Sequence, residues 1–190
     1  EPGDKGPSND GVWAPRRRYT VERTVDRRQY RQPLLVKADP RVQVSQGALQ
    51  RQFDMARKVE AVRLQAMAAL GRAAKLIGAL NARLGKSGAA QREVAVLLAK
   101  ATNISGTSVQ ALRVPFPAIP PQRTDSLQAL VTDLDTLEAA VDGADAAPSP
   151  DAMTSYATLS RMMTATLAEW SKLERVDVPK LNARLKAAGR

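Results

Sequence analysis

The chain has 190 residues and contains neither cysteine nor histidine. The first absence excludes disulfides, thiolate nucleophiles and cysteine-ligated zinc. The second removes imidazole as a metal ligand and as the base of a nucleophilic triad. A chain without cysteine fits any redox compartment. Aromatic residues make up only 4% of the sequence, and alanine and leucine dominate the apolar set. That balance favours helices packed through small and aliphatic side chains. No run of about 18 uncharged apolar residues occurs, so the sequence predicts no transmembrane helix. The first residue is Glu1, with no apolar signal core behind it. The expectation is a processed or excised piece of something longer, with no signal peptide in this stretch.

What is present is positive charge, with 29 Lys and Arg against 19 Asp and Glu. The net charge of +10 divides into +4 over residues 1–44, +8 over 45–120 and −2 over 121–190. A basic middle beside an acidic C-terminal part can pair within one fold, which weakens the case for an external polyanion. The densest basic stretch is WAPRRRYTVERTVDRRQYRQ, residues 13–32, with seven arginines.

The chain divides into a linker over 1–12, a β-hairpin over 13–44 and a helical bundle over 45–190. EPGDKGPSND is rich in Gly, Pro and charge and reads as a loop. Tyr19, Val21 and Val25 then recur at period two, with Thr20, Glu22 and Thr24 on the other side and Arg23 breaking the apolar row. After Asp26-Arg27-Arg28 a second run brings Tyr30, Leu34 and Val36. Two such runs around a polar break predict a hairpin. Pro33 lacks an N–H, so its strand is expected at an edge or bulged.

From Ser45 the spacing turns helical. Leu49, Phe53, Ala56, Val59, Val62, Ala66, Leu70, Ala73, Ile77, Leu80 and Leu84 recur at three and four. One helix from Ser45 to Leu84 would be roughly 60 Å long. Gly85 to Gly88 predicts a turn, and Ala89 to Thr102 a second helix. A long connection over 103–123 has Val114, Phe116 and Ile119 pinned to the bundle. The third helix, Ser126 to Val141, carries Leu127, Leu130, Leu134, Leu137 and Val141 on one seam. The fourth opens with Ser149, Pro150 and Asp151 and buries Ala152, Tyr156, Leu159, Met163, Leu167, Trp170 and Leu173. Asp177 and Pro179 begin a last short helix with Leu181 and Leu185, closed by Gly189. Four seams joined by turns predict an antiparallel four-helix bundle.

No catalytic constellation emerges. A nucleic-acid interface needs basic groups on one exposed face, with aromatics for stacking. Strand alternation separates Arg23 from its neighbours, so a solvated strand face is the better reading. Asp133 and Asp135, two apart on a helix, diverge. Asp142 and Asp145 flank Gly143, with nothing to predict the convergence that a glycosidase pair needs. Trp170 and Tyr156 lie on a packing seam, and Trp13 reads as packing or capping. Asn103-Ile104-Ser105 fits a glycosylation acceptor, a triplet common by chance.

GVWAPRRRYTVERTVDRRQYRQPLLVKADPRV resembles the C-terminal region of large exported bacterial proteins with a sortilin-like, BNR-repeat β-propeller, often labelled glycosyl hydrolase-like. The resemblance rests on Trp13, Tyr19-Thr20-Val21, Thr24-Val25-Asp26, Tyr30, Gln32-Pro33-Leu34, Val36 and Asp39-Pro40-Arg41-Val42. Leu49 to Asp54, Asp145 to Pro148 and Leu181 to Leu185 continue it. It implies that the hairpin ends an Ig-like β module, that a propeller lies upstream, and that the protein is exported to the periplasm or beyond. Any hydrolase label belongs to the upstream part, so no catalytic residue is carried over. The family pattern has glycine where Arg17 and Arg27 stand, and an apolar residue where Arg23 stands. These departures predict a distorted or weakened hairpin.

The sequence therefore predicts a mainly α chain: an antiparallel four-helix bundle preceded by a hairpin that is the remnant of an Ig-like module. It predicts a non-catalytic module with no cofactor, whose partner is its own upstream β module or another protein. Tyr19, Val21, Val25, Leu34 and Val36 form the expected interaction surface. The alternatives are a basic helical adaptor for nucleic acid or an anionic surface, and an accessory part of a hydrolase whose site lies upstream.

Overall fold

The computed structural model describes residues 12–37, 40–41, 43–84, 90–106, 123–143 and 145–187. The chain is mainly helical, with one two-stranded antiparallel hairpin. The strands are β1 (Arg18–Val25) and β2 (Arg28–Leu35). The helices are α1 (Gln46–Arg83), α2 (Gln91–Ser105), α3 (Leu127–Asp142), α4 (Pro150–Lys172) and α5 (Val178–Ala187). The expected turn at Gly85–Gly88, the segment with Val114, Phe116 and Ile119, and Gly189 lie outside the described residues.

Helix starts follow the serines. Ser45, Ser126 and Ser149 each accept a hydrogen bond from the backbone N–H three residues on, at Ala48, Ala129 and Ala152. Each satisfies one donor that a helix start leaves unpaired. Pro150 occupies the first turn of α4, where its missing N–H costs nothing. α1 runs unbroken for 38 residues, about 57 Å at 1.5 Å per residue. Its buried stripe is mostly small: Ala48, Ala56, Val59, Ala66, Ala69, Ala73, Ile77 and Leu80. Small side chains at a seam let neighbouring helices approach closely. The larger residues of the expected stripe, Val62 and Leu70 among them, are half-buried against the same core.

Polar ties fix the helix directions. Gln52 Nε2 donates to Val141 O at 2.8 Å, and Arg63 reaches Glu138 and Asp135 at 3.4 and 3.6 Å. The start of α1 thus meets the end of α3, and the two run antiparallel. Thr166 Oγ1 donates to Asp125 O, and Arg123 pairs with Glu169, so α3 also runs against α4. Lys100 pairs with Asp177, and Arg184 with Glu93, which sets α2 against α5. Arg72 meets Glu174, and Arg83 meets Asn182, so α1 and α5 run parallel.

These ties describe three rods rather than four helices side by side. α2 and α3 lie end to end, and the last residue of the α2 cap, Gly106, abuts Ser126 at the start of α3. Together they form a broken rod between α1 and the third rod. That third rod is α4 continued into α5. The last helix begins at Val178, close to the expected start at Asp177 and Pro179, and a π-helical turn over Leu173–Asp177, in which Val178 N–H bonds to Leu173 O, joins it to α4. Pro179 has no N–H to give to Arg175 O, and its ring crowds that carbonyl. Widening the preceding turn relieves the crowding and keeps the rod continuous.

The core unites all three rods. Leu98, Ile104, Leu127, Leu130, Leu134, Met163, Trp170 and Leu173 are fully buried. Each large apolar side chain so removed from water contributes roughly 1.5–3 kcal/mol. Thr166, placed by the sequence on no seam, is buried because its hydroxyl reaches a backbone carbonyl.

The hairpin stands outside this core. Its register pairs Arg18 with Leu35 through to Val25 with Arg28, without a bulge. Asp26 and Arg27 make the turn with φ of 48° and 64°. Positive φ at both central residues is the type I′ geometry, whose twist matches the strands. The expected distortion is therefore absent from the pairing. Arg17 needs no left-handed backbone, whereas Arg27 adopts one. Replacing Arg27 with glycine is expected to stabilise the hairpin by about 0.5–1 kcal/mol. Slower amide exchange at Val25 and Arg28 would show it, with the melting temperature of the helices unchanged.

Candidate functional site

Backbone pairing sorts the hairpin into two faces. Val36 N–H donates to Arg17 O at 3.1 Å, so the hydrogen-bonded pairs are 17/36, 19/34, 21/32, 23/30 and 25/28. Paired residues share a face. One face thus holds Tyr19, Val21, Val25, Tyr30 and Leu34, with Arg23 and Gln32 among them. The other holds Thr20, Glu22, Thr24, Gln29 and Arg31, tied by the Glu22–Arg31 ion pair at 2.8 Å. Pro33 stands opposite Thr20 on that face, at a non-bonded position where its missing N–H points away from β1.

All five residues expected as an interaction surface fall on the first face. Val21 is 49% exposed, Val25 38% and Leu34 48%. Tyr19 is half-buried. Its hydroxyl donates to Pro15 O at 2.6 Å, and the Arg17 guanidinium lies 5.0 Å from its ring centroid. Val36, opposite Arg17, sits apart from the other four. It is half-buried at the base of the hairpin, in a cleft of about 340 Å³. Tyr30, 55% exposed, completes the face. Its pairing with Arg23 could have been counted from the two-residue turn.

The cleft lies between the hairpin base, the start of α1 and the end of α3. Trp13, Val36, Leu49 and Phe53 line its apolar part, and Arg16, Lys37, Asp142 and Asp145 its polar part. Asp142 and Asp145 therefore share one hollow with Trp13, which no spacing in the sequence indicated. A second apolar strip, also missed, runs along α2 and α5. Val96 is exposed there beside Leu97 and Leu181, between the Lys100–Asp177 and Glu93–Arg184 pairs.

The arginines do not form one patch. Arg17, Arg23 and Arg28 lie on the apolar side of the hairpin, Arg18 and Arg31 on the other, and Arg27 at the tip. The perturbed carboxyls lie elsewhere, in the helical ties. The Arg123 hydrogen bond holds Asp125 below the usual carboxylate range. Burial pushes Glu138 up, with Arg63 opposing. Among the described residues no group of three or more acidic side chains is placed to hold a metal ion. No helix among them is long and apolar enough to cross a membrane. Compared with protein families, with curated proteins and with solved structures, the chain shows no significant match to any.

Proposed function

We propose that the chain is a non-catalytic structural and interaction module, the C-terminal part of an exported, sortilin-like β-propeller protein. On this reading the hairpin is the last part of an Ig-like β module, and its apolar face docks on the rest of that module. The observation that carries the reading is the face on which Val21, Val25, Tyr30 and Leu34 are exposed beside the half-buried Tyr19, standing clear of the helical core. A two-stranded hairpin is marginal alone in water, and such a face gains by being covered. The Tyr19 hydroxyl bond to Pro15 O supports the same reading, since Ig-like domains carry a tyrosine bonded to backbone just upstream of a late strand. The arginines, divided between faces and turn, favour no nucleic-acid interface. The reading frame upstream of Glu1 tests the proposal. A signal peptide, propeller repeats and the earlier Ig-like strands are expected there, and a frame that lacks them overturns it.

A further inference from the structure

We infer that the outer edge of β1 takes up a third strand: an extended partner segment with apolar side chains at alternate positions and a carboxylate facing Arg23. The inference rests on the reading of the hairpin face as a docking surface, and it names where the partner pairs and with what chemistry.

The two edges of the hairpin differ. Ladder bonds use residues 17, 19, 21, 23 and 25 of β1, so the N–H and C=O groups of Arg18, Thr20, Glu22 and Thr24 point outward. An unpaired row of this kind is a template for strand addition. On β2 the corresponding row is interrupted at its middle by Pro33, which has no N–H to give. One edge is therefore open and the other is blocked.

Chemistry then narrows the partner. A strand laid beside β1 extends the apolar face, so its side chains on that face must be apolar to share burial with Val21 and Val25. Arg23 lies between those two valines, with no acidic partner among the described residues. A carboxylate directly across the edge would lie about 5 Å away, in reach of the guanidinium. Charge argues against a second copy of this chain. Residues 12–37 hold eight basic and two acidic side chains, so two hairpins would repel.

The test uses a fluorescein-labelled peptide that alternates threonine with valine, the central valine replaced by glutamate. Anisotropy titration against the full chain is expected to show binding. The same peptide with a central lysine should bind about tenfold more weakly, since a repulsive pair replaces an attractive one. Thr20→Pro and Thr24→Pro each remove one outward N–H and leave the apolar face and the ladder bonds intact. Either is expected to weaken binding at least tenfold, whereas Gln29→Pro, on the outer edge of β2, leaves it unchanged. Cross-strand proton contacts between Val21 and Gln32 would confirm that each variant keeps its hairpin.

Failure of the glutamate peptide to bind at millimolar concentration overturns the inference. So does binding that survives both β1 prolines but is lost in Val21→Ser/Leu34→Ser. In that case the face docks its partner without strand addition, and the docking reading stands. Binding that survives Val21→Ser/Leu34→Ser as well sinks both. Concentration-dependent dimerisation abolished by Thr20→Pro assigns the edge to a second copy and also overturns the inference.

Discussion

Replacing Trp170 with alanine is expected to lower the unfolding free energy by about 3–5 kcal/mol. Trp170 is the largest fully buried side chain, 1% exposed on α4, just before the π turn. Its removal leaves a cavity where three rods meet, and a close-packed interior relaxes only in part around such a void. The indole also has a weakness. Its Nε1 has no hydrogen-bond acceptor among the described residues. A buried unsatisfied donor costs about 1–3 kcal/mol, so part of the ring's burial is already offset. Trp170→Phe removes that donor along with some volume, and is expected to lose far less than the alanine variant. Urea unfolding followed by far-UV circular dichroism would compare the two. Equal losses in both would contradict this account of the indole.

The second large effect concerns Gly106. It ends α2 in the left-handed region at φ 77°, and its N–H bonds to Thr102 O at 2.9 Å. A Cβ there would lie 2.9 Å from Ser126 Cβ and 3.2 Å from Gln128 Cβ, and closer still to Ser126 Oγ. Gly106→Ala therefore meets a backbone penalty of about 1–2 kcal/mol and a clash costing about 1–3 kcal/mol more. The clash falls on Ser126, whose hydroxyl caps α3, so the cap is endangered too. A total loss of about 2–5 kcal/mol is expected in the same urea experiment. Gly71→Ala is the contrasting case. Nothing lies within 4 Å of its Cβ position, and mid-helix alanine is preferred by about 0.5–1 kcal/mol, so a small gain is expected there.

Much of this architecture was legible in local spacing. The serine caps, the long α1 stripe and the seam of Leu127, Leu130, Leu134, Leu137 and Val141 are short-range patterns, and they fold as such. The hairpin was legible for the same reason, because alternation and a two-residue turn determine register. The order of the rods was not. Whether α2 packs beside α3 or end to end with it depends on ties such as Gln52 to Val141, separated by 89 residues. No local period encodes them. Asp177 and Pro179 marked the start of the last helix but not its continuity with α4, since a proline at a helix start reads as a separate element. Here a π turn absorbs it, which only packing along the full rod can favour. The cleft joining Trp13 to Asp142 and Asp145 was likewise invisible, because distant segments build it.

The rod directions also make the molecule electrically polar along its axis. Among the described helices, α1 and α4 both begin at the hairpin end, while only α3 terminates there. Each helix start carries roughly half a positive charge and each helix end half a negative one. One helix dipole is thus left uncompensated, its positive pole aimed at the hairpin. The opposite pole is met by Arg83, Arg184 and Lys186 in the last turns of α1 and α5. Around the hairpin the dipole adds to the arginines instead of opposing them. An acidic partner approaching along the axis would be steered to the end that carries the open strand edge, and added salt would slow that approach.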